Sequence, residues 1–491
     1  MLTLAFLNLI KSIKQRFMHR TFFIILFLAF LPGISPVHSQ PFTPDWASID
    51  SRPVPGWFSD AKFGIFIHWG LYSVPAWAPA SADIGIYAKY AEWYWWRIND
   101  NSPAGKLFRE YHDRMYGPGF HYQDFAGDFR AEHFDPGQWA RLFQQSGARY
   151  VVLTSKHHEG FTLWPSAQSP NWNSVDIGPH RDLCGDLTQA VKAAGLHMGF
   201  YYSLYEWYHP LYRSNVNQYV DQHMMPQLKD LVTRYEPELI FSDGEWDHPS
   251  ETWKSTQFLA WLYNESKVKE SVVVNDRWGK ETRSVHGGYY TTEYDMVHNN
   301  KELDDIHHPW EECRGIGTSF GYNRIETTEH YMTSAALVRL LVEKVAAGGN
   351  LLLDVGPTAD GLIPVIMEQR LLDMGAWLKI NGEAIYGTQP WKNRPSAEKG
   401  LTAEKESAVN KEQVVYYTTK ENNLYVICTR WPEKPLVIPG IGKPGKVSLL
   451  GSPVKVNSSF SGRKLTITPP AIHPGNMPCQ HAWTFKLTQV L

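Results

Sequence analysis

Asp243 and Glu293 are the two residues whose type and setting point most directly to chemistry. Asp243 follows a short apolar run, Leu239-Ile240-Phe241, by way of Ser242, and is itself followed by Gly244. The run reads as a buried strand, and a carboxylate–glycine pair at its end reads as the start of a loop. Just upstream, Leu228, Leu231, Val232 and Tyr235 recur at i, i+3, i+4 and i+7, the stripe of an amphipathic helix. A helix therefore feeds a strand, and Asp243 stands where that strand runs out. Such an aspartate can cap a following helix; in a βα-repeat fold it can equally serve chemistry, because the strand-end loops vary without disturbing the core. Two carboxylates suffice to cleave a glycosidic bond, one attacking the anomeric carbon or activating water, the other protonating the departing oxygen. The downstream candidates for the second are Glu281, Glu293, Glu311 and Glu312. Glu293 lies on a strand-like segment between Tyr290 and Tyr294, aromatic surroundings that would raise a carboxylic acid's pKa. Glu281 sits in Lys280-Glu281-Thr282-Arg283, a run that reads as a solvated loop.

Other polar residues gather at predicted strand ends. His157-His158 raises the question of a metal, but neighbours on a strand face opposite sides, and no HExxH or matched HxH accompanies them. Beside Lys156 and Glu159 they read instead as donors to sugar hydroxyls. Arg277 follows the Val272-Val273-Val274 run; it can pair near Asp276 or reach a ligand or the nucleophile. The chain carries 20 Trp, 25 Tyr and 23 Phe. Aromatics with polar neighbours form the usual floor of a sugar site, although Trp164 and Trp172 read as packing.

The elements that must position these groups repeat as strand and helix. Strands are predicted at 62–70, 150–153, 197–202, 239–241, 272–274, 288–293 and 351–354, with amphipathic helices between several of them. Alternation of this kind implies a mostly parallel sheet. Strand after strand ends in His, Asp, Arg or Glu, as when all C-terminal ends converge on one mouth, and no GxGxxG or P-loop is present. The expected fold is an α/β (β/α)8-like barrel. Beyond Trp391 the pattern changes to short strands near 414–419, 424–429, 436–438, 446–450, 465–468 and 482–487, separated by Asn-Asn and Pro-Gly turns. That reads as an antiparallel β-sandwich. The expected division is a signal peptide at 1–39, a catalytic domain at 40–391 and a sandwich at 392–491, unremarkable for 491 residues. Lys11, Lys14, Arg16 and Arg20 precede the apolar run Thr21–Leu31, then Pro32 and Val37-His38-Ser39, so cleavage near Gln40 and a secreted or periplasmic protein are expected, without a membrane span in the mature chain. A net charge of -3 supplies no field for nucleic acid. The four cysteines show neither zinc spacing nor a disulfide framework.

Taken together, Phe63-Gly64-Ile65-Phe66-Ile67-His68-Trp69-Gly70, Ala91-Glu92-Trp93-Tyr94, Lys156-His157-His158-Glu159-Gly160-Phe161, Asp243-Gly244, Asn275-Asp276-Arg277-Trp278-Gly279 and Ser319-Phe320-Gly321-Tyr322-Asn323 resemble the α-L-fucosidases of glycoside hydrolase family 29. The resemblance runs from about Trp57 to Trp391. It implies a retaining exo-enzyme acting on fucosylated oligosaccharides or glycoconjugates, with a barrel, a C-terminal sandwich, and no metal or organic cofactor. It further implies Asp243 as nucleophile and Glu293, in Thr292-Glu293-Tyr294, as acid/base. His68, Glu92, Trp93, His157, His158, Tyr202 and Arg277 match positions that hold the fucose ring, with Tyr201 a rival to Tyr202. Phe320 matches an aromatic near the sugar's methyl group. The family's common His-His-Asp-Gly stands here as His-His-Glu-Gly, with Glu159. Residues 83–127 and the polar loop 299–309 are expected to shape the aglycone side. The alternatives are an inactive fucose-binding lectin, an α-L-galactosidase-type hydrolase on the same fold, and a metal-dependent hydrolase. No motif bears on linkage preference or oligomeric state.

Overall fold

The computed structural model describes residues 41–81, 83–295, 308–393 and 415–490. The expected signal peptide and most of the loop 299–309 lie outside the described residues. Within the compact unit Phe42–Leu491, eight parallel strands make one curled sheet: β1 Phe63–Ile67, β2 Tyr150–Lys156, β3 His197–Ser203, β4 Leu239–Asp243, β5 Val273–Val274, β6 Tyr290–Glu293, β7 Trp310–Gly315 and β8 Asn350–Val355. Their order is β5-β4-β3-β2-β1-β8-β7-β6. No ladder joins β5 to β6, so the sheet curls around as a barrel with one open seam. Across the seam the Tyr289 N–H donates to Val274 O at 3.0 Å. A side chain at Gly288 would meet that same carbonyl at 2.3 Å, so only glycine allows the chain to approach so closely.

Strand parity explains what faces where. Leu239 and Phe241 on β4, Tyr201 on β3, Tyr150 and Val152 on β2, Phe66 on β1, Cys313 on β7 and Leu352 on β8 share one cluster, the barrel lumen. Ile240, Phe200, Tyr202, Val151, Ile65 and Leu353, one residue out of phase, pack with the surrounding helices. Because side chains alternate along a strand, Asp243 on β4 and Glu293 on β6 fall on the lumen side at its C-terminal mouth.

Strand β7 was not foreseen. Its Glu311-Glu312-Cys313-Arg314 reads as loop, and it is a strand because its charges are paired inside. Glu312 accepts from Arg314 Nε at 2.9 Å and from the Thr292 hydroxyl.

The C-terminal strands are β9 Gln389–Pro390, β10 Val415–Lys420, β11 Asn423–Cys428, β12 Leu436–Pro439, β13 Val447–Leu449, β14 Asn457–Ser461, β15 Lys464–Thr468 and β16 Trp483–Leu487. They form two antiparallel sheets, β13-β16-β11-β10-β9 and β12-β15-β14. Leu424, Val426, Phe485 and Leu487 meet Leu436, Ile438, Leu465 and Ile467 between them. Tyr425 and Ile427, on the other face of β11, belong to the barrel's own core cluster. The sandwich therefore braces the helix layer, and Trp377 Nε1 seals the contact by donating to Ala482 O at 2.9 Å. No disulfide is formed among the described residues, and no described helix is long and apolar enough to cross a membrane.

Candidate active site

A cavity of about 300 Å³ opens at the C-terminal mouth of the barrel. That volume is at the small end for small-molecule sites, suited to one ring rather than a chain. Asp243 and Glu293 both line it. Gly244 follows Asp243 in the left-handed region (φ +73°), with Tyr205 Cβ only 2.7 Å from where a side chain would start. Glycine is thus required for the chain to turn out of β4 immediately after the carboxylate.

Arg277 ties the two carboxylates together. Its Nη1 donates to Asp243 Oδ1 at 2.9 Å, and Nη2 reaches Glu293 Oε2 at 3.3 Å. Asp243 Oδ2 also accepts from the Tyr201 hydroxyl at 2.8 Å, and Arg283 Nη2 lies 3.6 Å from Oδ1. Burial alone would raise the pKa of Asp243, but the Arg277 and Arg283 charges and the Arg277 hydrogen bond outweigh it and hold the carboxyl well below the usual range. Glu293 Oε1 accepts from Tyr90 OH at 3.0 Å. The aromatic surroundings expected for Glu293 are thus only part of its setting, because two hydrogen-bond donors also address it.

The guanidinium is itself held. Arg277 Nε donates to Thr291 Oγ1 at 3.0 Å, and Thr291 donates to Asp276 Oδ1 at 2.7 Å. Thr291→Val should lower kcat about tenfold with little change in KM, and cost ~1–3 kcal/mol of stability by leaving buried Asp276 short of a donor; Thr291→Ser should restore both. Steady-state kinetics with urea melts of both variants check this, and equal kcat in wild type and Thr291→Val would refute it.

Glu293 exits into two left-handed residues, Tyr294 (φ 49°) and Asp295 (φ 63°), a strained turn for non-glycine residues. Glu312 holds it by accepting the Asp295 N–H at 3.1 Å. The other candidates for the second carboxylate lie elsewhere. Glu281 accepts from Ser250 N at 3.0 Å, and Glu311 takes the Tyr150 hydroxyl deeper in the lumen.

On the remaining walls, His68 Nδ1 lies 2.6 Å from Asp354 Oδ1, and burial pushes both partners toward their neutral forms. The contact fixes the ring so that its other nitrogen is free to address the cavity. His158 Nδ1 lies 2.7 Å from Ser203 Oγ, whose one proton goes to Tyr205 O at 2.6 Å. Nδ1 must therefore be the donor. Burial holds His158 neutral, so Nε2, 3.8 Å from Asp243 Oδ2, is left as an acceptor. His157 and His158 line the same cavity with ring centroids 4.1 Å apart, not opposite faces as expected. Strand β2 ends at Lys156, so alternation no longer applies to them.

Glu92, buried, accepts from Gly321 N at 2.9 Å and faces the cavity with Trp93. Burial raises its pKa to about 7. The stabilisation carried by its protonated form is complete below the unfolded value of about 4.5 and is lost as pH rises through about 7. Stability should fall by about 2–3 kcal/mol more between pH 5 and pH 8 in wild type than in Glu92→Gln, measured by urea unfolding; equal pH slopes in the two proteins would contradict it. Phe320 packs edge-on against Tyr90 and near His68, with centroids at 5.3 and 4.9 Å.

One expected ligand is misplaced. Tyr202 points out to the helix layer, donating to Gln227 Oε1 at 2.9 Å beneath Lys156. Its neighbour Tyr201 takes the place in the cavity, because parity along β3 gives the lumen to 201. Tyr87, Tyr90 and Arg97, from the stretch 83–127 expected to shape the aglycone side, also line the cavity, as do Trp246 and Arg283; none of the five is among the individually expected site residues. Arg97 lies on the six-residue helix Tyr94–Asn99 and Tyr87 on the turn Ile86–Ala88, while Tyr90, Trp246 and Arg283 come from irregular segments; none of these is long enough for periodicity to signal a facing. Among the described residues, Glu206, His209 and His223 approach within metal-ligand reach. There, however, Glu206 Oε1 already takes Lys156 Nζ and His223 Nε2, each at 2.7 Å, so the chain supplies its own cation.

Comparison with known proteins bears on the whole chain. Residues 31–383 match the family model for alpha-L-fucosidase, and residues 409–488 that for the alpha-L-fucosidase C-terminal domain. The chain is 45% identical over 469 residues to the tissue alpha-L-fucosidase of Rattus norvegicus, covering 93% of this chain and 94% of that one. It is 44% identical over 483 residues to the tissue alpha-L-fucosidase of Homo sapiens, covering 95% and 97%. Among solved structures, the alpha-fucosidase of Thermotoga maritima in complex with a mechanism-based inhibitor superposes with a TM-score of 0.75 at 38% identity, covering 91% of this chain and 100% of that one.

Proposed function

The chain belongs to the alpha-L-fucosidase family of glycoside hydrolases, and on that premise we propose that it removes terminal α-L-fucose from fucosylated glycans with retention of configuration, Asp243 serving as nucleophile and Glu293 as acid/base. The observation that carries the division of labour is the shared guanidinium of Arg277. Its shorter contact, with Tyr201 in support, goes to Asp243, and its longer one to Glu293.

In the first step Asp243 Oδ attacks C1 of the fucoside while Glu293 gives its proton to the aglycone oxygen, forming a β-fucosyl-enzyme. In the second step Glu293 takes a proton from water as that water attacks C1, releasing α-L-fucose and freeing Asp243. His68 and His158, each held at Nδ1, and Glu92 address hydroxyl groups. Phe320 offers the apolar contact that the sugar's methyl group needs.

NMR of the first-formed product should show the α anomer before mutarotation; a β product would defeat the retaining reading. The basic stretch and apolar run ahead of Pro32 support export with cleavage near Gln40. N-terminal sequencing of the protein from its host would find residue 1 intact if this reading were wrong.

A further inference from the structure

Of the large apolar and aromatic side chains exposed among the described residues, only two are aromatic, Tyr87 at 52% and Trp246 at 38%. Both line the one cavity described above. In a chain this rich in buried rings, that coincidence calls for a physical reason, because aromatic surface left in water forgoes the stabilisation of burial.

Tyr87 stands one ring outward from the acid/base. It packs edge-on to Tyr90 with centroids 5.7 Å apart, and the Tyr90 hydroxyl holds Glu293. Its backbone carbonyl is pinned by Arg97 Nη2 at 2.8 Å, so the turn Ile86–Ala88 presents the ring from a fixed base. Trp246 stands just past Asp243, 5.2 Å from His158 and 5.9 Å from Trp93.

We infer that Tyr87 and Trp246 flank a second sugar subsite, which takes the pyranose ring of the leaving group by contact with its C–H face. This rests on the fucosidase reading and goes beyond it, to the class of leaving group. The cavity holds one ring, and the oxygen that receives the proton must lie at Glu293. The ring bonded to that oxygen therefore passes Glu293 toward the mouth, where Tyr87 is exposed. A pyranose has an apolar C–H face and a hydroxyl rim, which match an exposed aromatic face set among polar groups.

The test compares α-L-fucosyl fluoride, whose leaving group has no ring, with a fucosyl-hexose disaccharide that the wild type cleaves. Tyr87→Ala should lose about tenfold or more in kcat/KM on the disaccharide and less than twofold on the fluoride, and Trp246→Ala, which also borders His158 and Trp93, should lose about tenfold more on the disaccharide than on the fluoride. Tyr87→Phe, which keeps the ring, should retain the disaccharide activity. Equal losses on both substrates, or an unchanged disaccharide rate, would overturn the subsite. Failure of the wild type to hydrolyse the fluoride would instead strike the fucosidase reading itself.

Discussion

Asp243→Gly is expected to lower kcat on an aryl α-L-fucoside by about 10⁴-fold or more, since it removes the carboxylate that bonds to C1 in the proposed first step. The expectation is more specific than loss of activity. Glycine leaves a space on the β face of the sugar, and azide entering it should restore turnover and give β-L-fucosyl azide, with inverted configuration. Arg277 and Tyr201 lose a shared partner in this variant, so some loss of stability is expected as well; circular dichroism and a thermal melt separate that effect from chemistry. Near-normal turnover by a folded Asp243→Gly protein would show that another residue attacks.

Glu293→Ala is expected to act differently. General acid–base assistance contributes about 10²–10⁴-fold, and the need for it depends on the leaving group. Fucosides with poor leaving groups should lose that full range in kcat/KM, whereas fucosyl fluoride or a dinitrophenyl fucoside should lose little in kcat/KM. Azide should speed the second step and yield the α-L-fucosyl azide, opposite in configuration to the product from Asp243→Gly. A uniform loss across leaving groups would remove Glu293 from this role, and the opposed configurations distinguish the two carboxylates within one pair of experiments.

The alternation of strand residues governed how much of this was legible in the sequence. β4 shows its ending openly, because Leu239 and Phe241 are apolar and Asp243 shares their face. The same logic resolves the adjacent tyrosines of β3. Met198, Phe200 and Tyr202 form a uniformly apolar set facing the helices, whereas Gly199, Tyr201 and Ser203 mix small and polar residues toward the lumen. That signal was present and favoured Tyr201. His157 and His158 lie past the end of β2, where strand alternation no longer holds and a turn lets both rings face one cavity.

β7 was hidden for another reason. A strand that pairs Glu312 with Arg314 internally carries no hydrophobic run, and Lys344, whose charge also favours the Glu312 carboxylate, lies on a distant helix. Tyr87, Tyr90, Arg97 and Arg283 reach the cavity from short turns, one six-residue helix and irregular segments, whose paths depend on long-range packing. The family motifs point to residues such as His68, Glu92, Trp93 and Arg277 that line the cavity, but not to these, which lie near Glu293 and Asp243 in the structure.

The central claim is that Asp243 forms a bond to the sugar during turnover. The most direct measurement is to inactivate the wild-type enzyme with 2-deoxy-2-fluoro-α-L-fucosyl fluoride and digest it for peptide mass spectrometry. The fluorine slows both steps, and the fluoride leaving group restores the first, so the intermediate accumulates. One fluorofucosyl group on the peptide containing Asp243 is the result expected here; a label on Glu293 or another residue, or hydrolysis with inversion and no label, would contradict it.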